Sequence, residues 1–480
     1  MSNQLYHRAK TWQLAFFALN NSATNVYMFL MMYVSYYATG VAGLGVAIVG
    51  IIGTAIRLWD GITDPIVGIL IDKTNGKFGK FRPYMILGNV ILAVSSLIIF
   101  GTVHLVPEGF RLVYYILAYA VYIVGYTLQT ACTKAGQACL TNDPKQRPQF
   151  TLFDTIYMSV VFSVLPVITS GPLYTWAGGF NDTYFMAYTL LSIALSAIMT
   201  VLAVIGIWSH DNEKFFPKAE KAEKIGVKAY WDLLKGNRAI QMLVVSAASD
   251  KLASTVKTNS VLMVCLFGIF LGNYSLYGTT SLIVTVPSII ITMIGVQYAS
   301  KKGMKKALVG FTVLDLVFSA GMIAIMLGTR MSGVAGAEMG TVLTIIFIVL
   351  YSALGCAESL SSGLVIPMLA DCADYEASRS GRYMPAMIGT LFSFIDKLVS
   401  SLGTTVISLG LVAIGYESAQ PAAEDPMTGG IFGFLMIMYF GLPIIGWILN
   451  LIAMKFYPLS KEKMEEVQLQ IADMKASVQE

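Results

Sequence analysis

Asp60 and Asp64 stand four residues apart in Arg57-Leu-Trp-Asp60-Gly-Ile-Thr63-Asp64-Pro, so on a helix they share one face. Thr63 lies beside them on the adjoining turn. The run around them, 46–71, is otherwise almost purely apolar and long enough to cross a bilayer. Charge at that depth is costly and is kept where it binds or moves something. Two carboxylates and a hydroxyl at this spacing make a small cluster of hard oxygen ligands, suited to Na⁺, Li⁺ or a proton.

The rest of the chain has to place that cluster in a membrane. Of its 480 residues 56% are hydrophobic and only 12% charged, against about 25% charged in a typical soluble domain. That gap assigns the chain to the all-α, polytopic membrane proteins. Residues 1–11 are polar, and the first apolar run, 13–39, is too long for a signal-peptide core of about 7–15 residues. The five cysteines fall in or beside apolar segments without a CxxC or Cys/His spacing, so neither a disulfide framework nor a zinc site is expected.

Apolar runs of bilayer length fall near 13–39, 46–71, 83–106, 112–140, 149–174, 184–208, 239–270, 274–298, 306–328, 340–368, 385–415 and 430–457. That predicts about twelve transmembrane helices, six on each side of a polar segment. Alternate loops are basic: Lys73, Lys77, Lys80 and Arg82; Lys145 and Arg147; the cluster at 214–238; Lys301, Lys302, Lys305 and Lys306; Arg379 and Arg382. The intervening loops carry only Arg111 and Arg330. The basic side faces the cytoplasm, which places both termini there. The expected organisation is a six-helix bundle over 1–208, a cytoplasmic amphipathic linker over 209–237, a second six-helix bundle over 238–457 and a cytoplasmic C-terminal helix over 458–480.

The two halves echo each other. Gly68-Ile-Leu-Ile-Asp72-Lys-Thr-Asn-Gly76-Lys-Phe-Gly79-Lys80 joins runs 2 and 3, and Lys301-Lys-Gly303-Met-Lys-Lys306 joins runs 8 and 9. Six plus six spans with a basic, glycine-containing loop at the same place in each half is the pattern of the major facilitator fold, whose two pseudo-repeated bundles rock around a central site.

At Trp59-Asp60-Gly-Ile-Thr-Asp64-Pro65 and Gly79-Lys-Phe-Arg82-Pro83 the chain resembles the glycoside–pentoside–hexuronide:cation symporters. The likeness continues through Tyr36-Tyr-Ala-Thr-Gly-Val-Ala-Gly-Leu44, Gly125-Tyr126-Thr127, Ala370-Asp371-Cys-Ala-Asp374-Tyr375-Glu376 and Phe456-Tyr-Pro-Leu459. The resemblance implies that Asp60, Asp64 and Thr127, with Thr63, bind the coupling cation. It also implies that Lys397 in span 11 is coupled to that site. Arg57 and Asp72 join Lys397 as candidate coupling or gating residues; a static network of Arg57, Asp60, Asp64 and Lys397 is the structural alternative. No cofactor is expected beyond a coupling ion, Na⁺ or H⁺. The expected partners are a small solute, a monovalent cation and membrane lipids, with no nucleic acid. A monomer in the bacterial inner membrane is expected.

The solute side departs from the family. Its sugar-gripping acids in spans 1 and 4 align with Thr24 and Thr130, its stacking tryptophan with Lys134, and its span-5 arginine with Thr155 beside Asp154. Lys134 suits a carboxylate, sulfate or phosphate on the solute, or else pairs internally with Asp154 or the span-2 acids. Asn20, Asn21, Thr24, Asn25, Gln129, Thr130 and Thr133 offer neutral hydrogen bonds, and Tyr27, Tyr33, Tyr126 and Trp59 are candidate cavity stackers or core-packing residues. The second half adds Asp250, Lys251 and Lys257 in span 7, Asp315 in span 9, Glu358 in span 10 and Asp396 in span 11. Asp250 and Lys251 point about 100° apart and need not pair.

The chain lacks a G-x-x-x-x-G-K-[ST] stretch, an HExxH pair and a Ser/His/Asp set, so ATP-driven and enzymatic readings are set aside. Cation-coupled symport of a glycoside, hexuronide or related polar or anionic solute is the leading expectation. A carrier of an organic anion or lipid-like solute, or a sensor on the same fold, is the alternative.

Overall fold

The computed structural model describes residues 8–74, 76–141, 146–212, 233–333, 338, 340–380 and 385–479. Among the described residues every regular element is helical; the one approach to sheet is an isolated bridge between Gly76 and Gly79. The first half carries α1 (Thr11–Met31), α2 (Val46–Lys73), α3 (Arg82–Thr102), α4 (Glu108–Leu140), α5 (Arg147–Ser170) and α6 (Asp182–Ile207). The second carries α7 (Arg238–Lys257), α8 (Ser275–Lys302), α9 (Met304–Met331), α10 (Thr341–Ser380), α11 (Pro385–Ala413) and α12 (Gly429–Phe456). A last helix, α13 (Lys461–Gln479), follows.

Among the described residues ten of these helices are long and apolar enough to cross a membrane, and α7 with Ser260–Phe270 makes an eleventh, bent by 54°. The remaining expected span is α1, 21 residues long. Its Gln13, Asn20, Asn21, Thr24 and Asn25 dilute its hydropathy, and Asn20 and Thr24 are fully buried, so its polar side chains point into protein rather than toward lipid. Helix ends follow local rules. Asn181 Oδ1 accepts the Tyr184 N–H at 2.9 Å and Asn237 Oδ1 accepts that of Ala239 at 3.0 Å, each capping a span that begins there. Pro83 sits in the first turn of α3, where its missing N–H costs nothing.

The chain divides into two compact units. One gathers Met1–Ala222 with Tyr274–Leu282 and Leu411–Ala422; the other gathers Glu223–Asn273, Ile283–Gly410 and Ala423–Glu480. In the first unit α1 packs along α6 and α3 along α4; in the second α7 packs along α12 and α9 along α10. The same glycine device serves both. A Cβ on Gly206 in α6 would meet the Phe17 N of α1 at 2.8 Å, and one on Gly446 in α12 would meet the Ser249 O of α7 at 2.8 Å. Glycine lets these helix backbones touch, the close approach that packing in lipid rewards. π-helical turns end the first span of each half, at Tyr37–Val41 and Val264–Phe270.

The two short stretches from the second half of the sequence are tied into the first unit. Tyr33 and Tyr274 share a hydroxyl–hydroxyl hydrogen bond of 3.1 Å, the Tyr36 hydroxyl donates to Pro421 O at 3.0 Å, and Val46 N donates to Glu417 O at 2.9 Å. Phe180 sits among these rings, 4.5 Å from Tyr36 and 4.8 Å from Tyr174 between centroids.

In the second unit α10 is 40 residues long, about 60 Å of helix against a hydrocarbon core of about 30 Å. Its last turns therefore stand outside that core and receive α13. Val467 of α13 is fully buried, and Met464 packs on the apolar cluster that includes Met368, Cys372 and Tyr457. Gln468 Nε2 donates to Asp374 Oδ2 at 2.7 Å. The amphipathic linker expected over 209–237 falls largely on 213–232, outside the described residues.

Candidate functional site

The residues expected to form a cation cluster come together on two helices of the first unit. α2 brings Asp60 and Thr63, both buried, and α4 brings Thr127, also buried. Thr127 Oγ1 donates to Asp60 Oδ1 at 3.2 Å and lies 3.2 Å from Thr63 Oγ1. Thr63 Oγ1 also reaches the Asp60 carbonyl at 3.1 Å. Asp64 stands half-buried one turn on. Pro65 follows inside the helix and has no N–H to offer the Gly61 carbonyl. That frees one more oxygen between the two acids. Carboxylate, hydroxyl and carbonyl oxygens thus gather at one turn of α2, the donor set for a hard monovalent cation.

The neutral polar residues of α1 and α4 are locked together beside it. Asn20 Nδ2 donates to Gln129 O at 3.0 Å and to Thr133 Oγ1 at 2.6 Å. Thr24 is fully buried and its hydroxyl donates to Asn20 O at 3.0 Å. Thr130 turns its hydroxyl back onto Tyr126 O at 2.9 Å, and Asn25 donates to Asn21 O at 2.8 Å. The Tyr126 hydroxyl rests 3.7 Å from Met28 Sδ. Of the candidate solute ligands, Thr24, Asn25 and Thr130 therefore spend their donors within their own helices. Tyr27 and Tyr33 are core residues, and Trp59 donates to Ala120 O at 3.2 Å.

Lys134 differs from all of these. It is exposed on α4 and makes no hydrogen bond or ion pair among the described residues. The pairing with Asp154 left open by the sequence is not formed among the described residues; Asp154 Oδ1 instead accepts from Asn21 Nδ2 at 2.8 Å. Arg57 is exposed three residues before Asp60, and Lys397 lies on α11 in the second unit. Asp72 belongs to the last turn of α2, with its side chain outside the described residues.

The loop after α2 is held by a residue that sequence reasoning missed. Asp211, just past α6, has a fully buried side chain. Its carboxylate accepts from the backbone N–H groups of Lys80 at 2.8 Å, Phe81 at 3.1 Å and Arg82 at 2.9 Å, and from Arg82 Nε at 3.2 Å. An anion on the open N–H groups of a helix start is favoured by both hydrogen bonds and the helix dipole. Gly79 has φ +86° and a Cβ there would strike the Asp211 carboxylate, so only glycine fits. The Arg82 guanidinium then stacks 4.4 Å over Trp208. The equivalent loop of the second half has Gly303 at φ +88°. There the residues after α12 take the place of Asp211: Lys305 Nζ donates to Tyr457 O at 2.6 Å and Lys461 Nζ to Lys301 O at 3.3 Å. A cavity of about 600 Å³ opens beneath α13 at this point, lined in part by Lys305, Asp371 and Lys461.

The polar residues of the second half also find partners. Lys251 Nζ lies 3.1 Å from Asp396 Oδ1, whereas its neighbour Asp250 accepts from Ser362 Oγ at 2.7 Å. The two side chains diverge as helical geometry predicts. Lys257 Nζ sits 2.8 Å from Glu358 Oε1.

The sequence matches the family described as MFS/sugar transport protein over residues 16–461. It is 26% identical to the uncharacterized symporter YjmB of Bacillus subtilis (strain 168), over 91% of this chain and 89% of that one. It is 25% identical to a glucuronide carrier protein homolog of Escherichia coli (strain K12), over 92% and 90%. Its fold is similar to the crystal structure of the nucleoside transporter NupG, with a TM-score of 0.61 at 14% identity, over 94% of this chain and 99% of that one.

Proposed function

Because this chain belongs to the MFS/sugar transport protein family, an integral multi-pass group of membrane transporters rather than enzymes, we propose that it is a secondary active symporter. It couples Na⁺ or H⁺ to the movement of a glycoside, a hexuronide or a related small polar or anionic solute by alternating access. The glucuronide carrier homolog among its relatives supports that solute class. The Lys and Arg distribution supports cytoplasmic termini.

One observation carries the reading: the α4 hydroxyl of Thr127 meets the α2 carboxylate of Asp60 at 3.2 Å, deep in apolar helices. Asp60, Thr63, Asp64 and Thr127 bind the cation in this reading. Arg57, Asp72 and Lys397 couple that site to movement. Cation and solute each raise the affinity for the other by the same factor, since binding linkage is reciprocal.

Lys134 favours an anionic solute. An exposed ammonium within a transmembrane helix, one residue beyond Thr133, offers a point charge for a carboxylate, sulfate or phosphate. Asn21, Asn25, Tyr126 and Thr130 supply its neutral surroundings, once their present hydrogen bonds are exchanged for bonds to the solute.

The test is a thermal-shift screen of the purified protein against neutral glycosides, hexuronides and other organic anions, with and without Na⁺ and across pH. A solute that stabilises more strongly in the presence of the cation, and loses that dependence in Asp60→Asn, is expected. Uptake that proceeds without a cation gradient, or that keeps its cation dependence in Asp60→Asn and Asp64→Asn, overturns symport at this site.

A further inference from the structure

Asp315 in α9 is fully buried in the second unit. Among the described residues its Oδ2 accepts a single hydrogen bond, from Ser361 Oγ of α10 at 3.3 Å. Its Oδ1 has no partner among the described residues. A carboxylate in such a place is left with most of its hydration unreplaced, which is costly unless a cation faces it.

The cation that reaches it is already engaged. The charged groups around Asp315 are Glu358 on α10 and Lys257 and Asp250 on α7. Lys257, 3% exposed, puts its ammonium on Glu358 at 2.8 Å and between the rings of Tyr439 and Trp447 on α12, at 5.0 and 5.2 Å. Asp250 is satisfied by Ser362. One turn before Asp315, the Thr312 hydroxyl accepts from Asn450 Nδ2 at 3.1 Å, and Asn450 Oδ1 accepts from Ser246 at 2.6 Å. Apart from Lys257, whose ammonium is held by Glu358, the groups named around Asp315 are neutral or acidic. Three carboxyl groups share one ammonium, which rests on Glu358; Asp250 and Asp315 each face a serine hydroxyl, and Asp315 keeps an oxygen unpartnered among the described residues.

We propose that Asp315 is a proton-binding site of the second unit, separate from the cation cluster on α2. Its carboxyl is the neutral acid in the conformation seen here, with the hydroxyl hydrogen on one oxygen and the Ser361 contact on the other. When α7, α9 and α10 shift so that water or Lys257 reaches it, the O–H bond breaks, the proton passes to water and the carboxylate takes up the released ammonium. Binding the proton again restores the Lys257–Glu358 pair. Only the use of that proton in a transport cycle rests on the symport reading; its residence on Asp315 does not.

Infrared spectroscopy of the purified, reconstituted protein tests this without any solute. Near neutral pH the wild type is expected to show a protonated-carboxyl carbonyl band that shifts in D₂O, is lost in Asp315→Asn and moves in frequency in Asp315→Glu. Asparagine is close in shape to the neutral acid, so the Asn variant is expected to unfold at the wild-type temperature. Should it not fold, the Asp315→Glu frequency shift alone decides. A band unchanged in these variants, or no such band in the wild type, overturns the proposal. Loss of the cation-dependent thermal shift in Asp60→Asn, with the Asp315 band intact, leaves the two sites independent. Failure of symport would show as cation-independent uptake with the same band present.

Discussion

Thr127 Oγ1 stands 3.2 Å from Asp60 Oδ1, joining residues 67 positions apart on α4 and α2. The contact orients the carboxylate of the proposed cation site. Thr127→Val keeps the shape and removes the hydroxyl. A hydrogen bond to a charged group contributes about 1.5–3 kcal/mol. The cation concentration giving half-maximal stabilisation should therefore rise about 10- to 100-fold. Thr127→Ser should stay near the wild type. The measurement is melting temperature against Na⁺ or proton concentration, and a Val variant that titrates like the wild type removes Thr127 from the site.

Asp211 predicts a stability effect far from that cluster. Its carboxylate answers three backbone N–H groups and Arg82 in a buried setting. Removing one partner of such an arrangement leaves buried donors unanswered and costs about 3–5 kcal/mol. Asp211→Ala should lower the unfolding temperature in detergent markedly, with Asp211→Asn intermediate because it keeps one acceptor. Gly79→Ala should match the Ala variant, since it displaces the same carboxylate. Wild-type melting in Gly79→Ala would mean the loop relocates without loss.

The contrast between these two sites shows what the sequence makes legible. Asp60, Thr63 and Asp64 could be found because one helix carries them at one-turn spacing in an apolar run. The apolar helical character of the spans and the paired glycine loops could be read for the same reason: period and composition are local. Asp211 could not, because its partners are backbone N–H groups about 130 residues earlier, and backbone groups leave no mark in a sequence. The hydroxyls of Thr24 and Thr130 were legible as polar groups, but their direction back onto their own helices was not. Asp315 was visible as an acid in a span; that it lacks a counter-ion depends on where Lys257 goes. Spacing identifies which groups are present, and packing decides how they pair.

Lys134 yields a prediction about selectivity. It is exposed and unpaired among the described residues, so losing its charge should cost the fold little. Lys134→Gln should keep the wild-type melting temperature and the response to neutral glycosides. Its response to anionic solutes should weaken by about tenfold or more, as expected when a charge-assisted hydrogen bond of about 1.5–3 kcal/mol is lost. Equal weakening toward neutral and anionic solutes would point to a general effect of the helix rather than to charge recognition.

The Lys257–Glu358 pair carries the last prediction, because its two members differ in what they leave behind. Their side chains are 4% and 18% exposed, so neither is hydrated well enough to stand alone. Lys257→Met strands Glu358 next to Asp315 and Asp250, and should destabilise by about 3–5 kcal/mol. Glu358→Gln strands the ammonium instead, but the rings of Tyr439 and Trp447 still face it, and Asp315 is within its electrostatic reach. That variant should lose less. The double variant, Lys257→Met with Glu358→Gln, removes both charges and should be more stable than Lys257→Met alone. The coupling between the two sites would then be of opposite sign to the single losses. Thermal unfolding of the four proteins measures it. Strictly additive effects would show no net coupling between Lys257 and Glu358 and would overturn this reading of the pair.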